Sequence, residues 1–136
     1  MTHVVKYIDG AITAHGGARR LSRPATVRTR WEYSTGDPLA VQVFIQAGRD
    51  EWVEWAFARD LLADGLIAEA GSGDVRISPM GLFTVRLELS NPGGYAALEF
   101  DAETTCEFLQ ETYDLILPGT EQVLDGVDRF LAAHSL

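Results

Sequence analysis

The 136-residue sequence contains only one cysteine and three histidines. A single cysteine, Cys106, excludes an internal disulfide and is typical of proteins from a reducing compartment. The histidines, His3, His15 and His134, lie far apart, and none forms a pair at the spacing of a helical metal site. We therefore expect no metal, no cofactor and no catalytic residue built on these side chains.

Long apolar segments and an excess of positive charge are also missing. No apolar run approaches the ~18 residues that a membrane span needs, and the first residues lack the basic and apolar regions of a secretory signal. The chain has 11 basic and 20 acidic residues, a formal net charge of −9. This net charge argues against general binding to nucleic acid or to an anionic membrane. We expect a cytoplasmic protein that does not insert directly into a membrane.

The composition is that of a folded protein, and its length predicts one domain over residues 1–136. Charge is unevenly distributed within it. Residues 19–30 include five arginines and no acid, whereas residues 99–136 include nine acids and one base. Three interpretations of this Arg-rich stretch and acidic region are open: two solvated faces, a pair of surfaces through which copies attract each other, or a local nucleic-acid patch.

Alternation of apolar and polar residues predicts a set of antiparallel strands joined by short turns. The predicted strands cover residues 4–8, 26–33, 39–46, 52–57, 75–79, 82–89 and 96–100. Residues 13–18 are small and are predicted to form a loop that Pro24 ends. Pro79 restricts the strand over 75–79 to a sheet edge, because proline has no amide to donate.

Helix signals interrupt the strands once and then follow them. Residues 58–63 predict a short helix, with Gly65 as the left-handed residue after it. Asp101 is predicted to cap a second helix, and Thr120 to cap a third. The apolar stripe expected to face the core on the second helix is Cys106, Leu109, Tyr113 and Ile116. This order predicts an α+β fold: twisted antiparallel β-sheets with a short mid-chain helix and two C-terminal helices.

One aromatic residue stands apart from the predicted core. Trp55 and Phe57 share a strand face with Val53, whereas Trp52 points to the opposite face if the alternation holds. Tryptophan is enriched at the centres of protein interfaces. An interface role for Trp52 and its burial under a helix are both open.

The segment from Trp52 to Leu66, followed by Gly71 to Pro79, resembles the SsgA-like proteins, the sporulation and cell-division regulators of actinobacteria. Upstream, Tyr33 with residues 37–41 is similar to the family's Tyr…Asp-Pro-Tyr-Ala-Val element, with leucine in place of its second tyrosine. Residues 117–121 match the break between the family's C-terminal helices. Within the family the resemblance is closest to the SsgB type.

The resemblance implies a non-enzymatic regulator of sporulation-specific cell division that controls septum formation. In this family, the SsgB type helps to position and recruit FtsZ, the tubulin-like division GTPase, through protein–protein contacts. The resemblance further implies a fold similar to the whirly group, a homo-oligomer in the form of a trimer, and a cytoplasmic protein recruited to the division septum. An enzyme is not expected.

The resemblance also draws attention to Arg59 and Asp60, which open the predicted mid-chain helix. An acid near a helix N-terminus is favourable for the helix dipole whatever the function, so a structural role and a partner contact are both open. The candidate protein-interaction residues are Trp52, Arg59 and Asp60. The alternative function is a single-stranded nucleic-acid-binding protein on a whirly-like fold, whose arginines would line a sheet groove beside exposed aromatics.

Overall fold

The computed structural model describes residues 2–16 and 19–120, with the backbone alone described for residues 19–22. Within these residues the chain forms seven strands and two helices. The strands are β1 (His3–His15), β2 (Arg19–Ser34), β3 (Asp37–Gly48), β4 (Glu51–Ala58), β5 (Val75–Met80), β6 (Thr84–Asn91) and β7 (Gly94–Asp101). The helices are α1 (Arg59–Gly65) and α2 (Ala102–Leu115). The third helix, predicted to follow its cap residue Thr120, lies outside the described residues.

All seven strands belong to one antiparallel sheet in the order β4-β3-β2-β1-β7-β6-β5. The sheet is curled, and α1 contacts β4 and β5, the strands at its two edges. The α+β class with antiparallel pairing and a short mid-chain helix is confirmed. The expected separate sheets are instead one continuous sheet. Pro79 lies in the edge strand β5, as predicted.

The core fills the inner face of the curl, where Trp31 is 1% exposed. Its indole makes edge-to-face contacts with Phe57, Phe100 and Phe108, at ring-centroid distances of 6.2, 5.3 and 5.6 Å. These rings come from β4, β7 and α2, so one side chain of β2 joins distant parts of the sheet to the helix. The indole Nε1 donates to Thr29 Oγ1 at 2.9 Å, which satisfies its buried polar group.

The loop predicted for residues 13–18 and ended by Pro24 was wrong, because β1 runs to His15 and β2 already begins at Arg19. The pairing continues through a bulge: Ile12 lies opposite Ala25, but Ala14 lies opposite Arg20. Pro24 therefore falls in the extra segment of the longer strand, where its missing amide breaks no ladder bond.

Asp101 caps α2 as predicted: Thr104 donates its backbone amide (2.8 Å) and its hydroxyl (2.7 Å) to Oδ2. These bonds hold the pKa of the Asp101 carboxyl below its ordinary value of 3.8.

The predicted core position of Cys106 was wrong, because its side chain is exposed. The buried face of α2 is rotated from the predicted stripe and consists of Thr105, Phe108, Leu109 and Thr112.

The structure also differs from two predictions at positions near glycine. Gly65 ends α1 without a left-handed conformation, since Leu66 is the C-cap residue with φ −75°. Glycine is needed there for space, because a Cβ on Gly65 would lie 2.4 Å from the Cβ of Ile77. The strand predicted over 82–89 begins only at Thr84, because Gly81, with φ +73°, turns the chain just before it.

Replacing Gly65 with alanine is expected to destabilise the protein by about 1–3 kcal/mol, the usual cost of overpacking a contact that cannot relax freely. Alanine has a higher helix propensity than glycine, which by itself would stabilise α1. A decrease in the free energy of unfolding, measured by urea denaturation, would therefore report the close contact with Ile77. The matched control is Gly73→Ala, where an added Cβ meets nothing within 4 Å. Equal stability changes in the two variants would contradict the explanation.

Candidate functional site

The outer face of strands β1 to β4 presents aromatic rings and arginines in adjacent positions. Strand register places Tyr7 opposite Arg30, and Arg30 opposite Phe44. Trp52 follows on the edge strand β4, opposite Gln46. We call this surface the arginine–aromatic face, and its members are Tyr7, Arg28, Arg30, Phe44 and Trp52.

The guanidinium groups of this face lie over its rings. Arg28 Cζ is 5.1 Å from the ring centroid of Tyr7. Arg30 Cζ is 4.4 Å from the Phe44 centroid and 5.4 Å from the Trp52 centroid. Cations within about 6 Å of a ring centroid are attracted to the ring face. Because stacking already restricts these long side chains in the free protein, they lose less conformational entropy when a partner binds.

Acidic and amide groups also belong to the outer face. Arg30 Nε donates to Glu32, and Gln42 donates to Glu54 at 2.8 Å. Asp9 lies opposite Arg28 in the β1–β2 pairing. The surface is therefore mixed in charge, and its polar side chains hold one another in fixed positions. Such a surface is typical of protein interfaces, which combine Trp, Tyr and Arg anchors with paired polar groups.

Trp52 lies on the outer face, as the alternation predicted, and is partly buried. Helices α1 and α2 pack on the inner side of the sheet, and what covers part of the indole is the Arg30 side chain. Burial under either of these helices is excluded by this arrangement. The interface role of Trp52 stays a prediction.

Arg59 occupies a different environment, at the junction of β4 and α1, and is 1% exposed. Its Nη1 donates to the carbonyl oxygens of Thr112 (3.2 Å) and Ile116 (2.7 Å), and its Nη2 to that of Leu117 (3.3 Å). These carbonyls belong to the C-terminal end of α2 and the residues after it. Helix C-termini have unpaired carbonyls and partial negative charge, which favour a cation.

Two tyrosine rings enclose the same guanidinium. Arg59 Cζ lies 4.9 Å from the Tyr33 centroid and 4.8 Å from the Tyr113 centroid. Tyr33 is itself held by a 2.8 Å hydrogen bond from its hydroxyl to the carbonyl of Pro38. The Arg59 side chain thus links β2, α1 and α2, and the geometry supports its structural interpretation.

Asp60 is exposed in the first turn of α1. The position agrees with the expected favourable interaction with the helix dipole, and it leaves the carboxylate accessible to a partner. Trp52, Arg59 and Asp60 therefore occupy three different environments: the outer sheet face, the interior and the helix surface. The structure does not bring them together into one site.

Sequence reasoning missed Tyr7, Arg28, Arg30 and Phe44 as parts of one surface. The available signal was Phe44, a large apolar residue on the polar side of an alternating strand. Its pairing with Arg30 depends on strand register, which the sequence pattern of a single strand does not contain.

Residues 2–16 and 19–120 contain no group of three or more His, Cys, Asp or Glu side chains that could hold a metal ion. Of the helices in those ranges, none is long and apolar enough to cross a bilayer.

Comparison with known proteins matches residues 27–121 to the family described as "Streptomyces sporulation and cell division protein, SsgA". The chain is 49% identical over 104 residues to the sporulation-specific cell division protein SsgB of Saccharopolyspora erythraea, covering 75% of this chain and 74% of the relative. It is 47% identical over 103 residues to SsgB of Streptomyces coelicolor, covering 74% and 75%.

Two solved structures share the fold. A structure from work on SsgB mutations and longitudinal cell division during sporulation of Streptomyces coelicolor has a TM-score of 0.81 at 36% identity, and the match covers 89% of this chain and 94% of that chain. An SsgA-like sporulation-specific cell division protein from Thermobifida fusca has a TM-score of 0.80 at 35% identity, covering 98% and 96%.

Replacing Arg59 with methionine is expected to destabilise the protein by roughly 2–5 kcal/mol, because the carbonyl of Ile116 loses its donor and those of Thr112 and Leu117 each lose one of their donors. The matched control is Arg28→Met, where an exposed stacked arginine is lost and the cost should stay below about 1 kcal/mol. Chemical denaturation of both variants measures the difference. Similar losses for the two would show that the buried position of Arg59 carries no special stability.

Proposed function

Because the chain belongs to the SsgA family of sporulation and cell division proteins, we propose that it is a non-enzymatic regulator of sporulation-specific division, which controls septum formation by recruiting or positioning FtsZ through protein–protein contacts. The proposal includes a cytoplasmic protein that is recruited to the division septum and acts as a homo-oligomer, in the form of a trimer.

The observation that carries the proposal is the arginine–aromatic face. Its rings and guanidiniums lie on the outer side of the sheet, away from the described helices. Protein partners bind to such surfaces through a few Trp, Tyr and Arg anchors. Trp52, supported by Arg30, is the proposed central anchor, and Asp60 is a second candidate on the neighbouring helix.

Trp52→Ala is expected to weaken binding to FtsZ filaments by about tenfold or more, the usual loss for an interface anchor. The measurement is co-sedimentation of the full-length purified protein with GTP-assembled FtsZ from the same organism, together with light scattering of filament assembly. Asp60→Ala tests the second candidate in the same assay.

The matched control is Ile67→Ser, which changes an apolar side chain that is 83% exposed outside the arginine–aromatic face. It should bind filaments like the unsubstituted protein. A wild-type protein that neither co-sediments with filaments nor changes their assembly would rule out direct recruitment. Equal binding by Trp52→Ala and Ile67→Ser would show that the contact with FtsZ does not involve Trp52.

A single-stranded nucleic-acid-binding role is the second candidate, and one observation favours it. Arg28 and Arg30 lie beside Tyr7 and Trp52 on a sheet face, an arrangement that can stack bases and neutralise phosphates. The acids on the same face and the net charge of −9 oppose it, because phosphate neutralisation supplies most of such binding.

We expect no measurable binding of labelled single-stranded DNA at ~150 mM salt, and at most weak binding at low salt that the double variant Arg28→Ser/Arg30→Ser abolishes. Fluorescence anisotropy measures both. Micromolar affinity at the higher salt, lost in the same variant, would favour the nucleic-acid role over the FtsZ role.

A further inference from the structure

Strand β4 lies at one edge of the sheet, and its backbone is paired on one side. In the part of the chain that the structure describes, β4 pairs with β3 and with no other strand. Successive residues of a strand direct their N–H and C=O groups to opposite sides, so alternate residues of β4 present these groups away from β3. Such groups are satisfied by water or by another extended chain.

The usual barriers to a further strand are missing from β4. It has eight residues, and its sequence contains neither proline nor lysine. Its pairing with β3 is regular from Trp52 to Ala58, without a bulge. Natural sheets commonly protect an exposed edge with such residues, with bulges or with very short strands. A long and regular edge is typical of strands that accept a peptide as an additional strand.

The inner side of this edge opens into an apolar groove with a volume of about 590 Å³. Val53 and Trp55 of β4 line one side of the groove, and Leu89 of β6 and Ala96 of β7 line the other. Val53 is 43% exposed, and the described helices contribute no residue to the wall. A strand added beside β4 would direct every second side chain over this groove, which favours apolar residues at those positions.

The outer side of the same edge favours positive charge. Glu54 is exposed on the outer face, next to Trp52, and Asp50 and Glu51 are exposed where β4 begins. Arg49 is the single base among residues 49–58. Side chains of an added strand would lie directly beside these acids, where opposite charges attract and like charges repel. Residues 121–136 include three acids and one base, so charge does not favour them as the added strand.

We propose that β4 binds an extended segment of a partner protein, in which apolar residues alternate with lysine or arginine. The backbone of the segment pairs with the free side of β4, its apolar side chains enter the groove beside Val53 and Trp55, and its basic side chains meet Glu54. Backbone pairing supplies affinity in this mode of recognition, and the alternating side chains supply specificity. The inference goes beyond recruitment of FtsZ through the arginine–aromatic face and does not depend on it.

The probe is a fluorescent peptide as long as β4, built of alternating valine and lysine. Two matched peptides are methylated on the backbone nitrogen, one at every valine and the other at every lysine. Each keeps the sequence and the charge but loses the amide donors along one side of the strand. Because pairing with β4 uses one side only, we expect one methylated peptide to bind like the unmodified peptide and the other to bind at least about tenfold more weakly. Fluorescence anisotropy at ~150 mM salt measures the affinities.

Charge reversal in the full-length protein tests the acidic side of the edge. Glu51→Lys/Glu54→Lys should weaken binding of the valine–lysine peptide about tenfold, because attraction becomes repulsion beside the added strand. The same variant should gain binding of an alternating valine–glutamate peptide. The matched control is Asp64→Lys/Glu103→Lys, which changes the net charge equally at exposed positions outside β4 and should bind like the unsubstituted protein. Circular dichroism checks that both variants are folded.

Hydrogen exchange, followed by mass spectrometry, locates the bound peptide. Amides on the free side of β4 should exchange more slowly with the solvent when the valine–lysine peptide is present, because they then donate to its carbonyls. The strand at the other edge, β5, contains Pro79 and serves as the internal control. Its exchange should not change.

Several outcomes would overturn the inference. Equal binding by the two methylated peptides would do so, since pairing through one side of a strand requires them to differ. Absence of peptide binding, or slower exchange outside β4 alone, would also do so. Slow exchange of β4 in the free protein would assign its edge to a second copy if dilution removes the protection, and to the same chain if it does not. FtsZ is absent from all of these measurements, so their failure is separate from the failure of recruitment.

Discussion

The guanidinium of Arg59 lies where the end of β4, the start of α1 and the end of α2 meet, and the arrangement of the sheet and helices depends on it. Removing this charge from water costs several kcal/mol. The cost is offset by carbonyl oxygens at and just after the C-terminal end of α2 and by the faces of Tyr33 and Tyr113. The same contact determines the direction in which the chain continues after α2.

The curl divides the sheet into parts with different surroundings. Helix α2 and the rings around Trp31 fill one part of the inner face, and the other part is an open apolar groove whose wall includes Ile45, Trp55 and Leu89. The outer face of β1 to β4 remains available, with its arginines held against its rings.

Period-two alternation was sufficient to predict most strands and the α+β class, because half-buried strands place every second side chain in the core. It also predicted that Trp52 and Trp55 would lie on opposite faces. The alternation could not reveal the bulge that admits Pro24 into β2, because the bulge depends on the partner strand. It also extended β6 through Leu82, whose apolar character fits a strand but whose backbone belongs to a turn.

Helical spacing was a weaker guide. An error of one position in the phase of the stripe was enough to assign Cys106 to the core, although Thr105 occupies the buried position. Burial of Arg59 could not be predicted, since its acceptors at residues 112–117 lie more than fifty residues away in sequence. The arginine–aromatic face likewise could not be predicted, because its residues become neighbours only through the register of four strands.

The edge strand β5 is closed to further strands. Ile77 exchanges both backbone hydrogen bonds with Ala70, at 2.8 and 3.0 Å, and Pro79 has no amide to offer. Free sheet edges are the usual starting points of fibrillar aggregation. Two sheets therefore cannot join along this edge, and any association there must use side-chain surfaces rather than shared backbone hydrogen bonds.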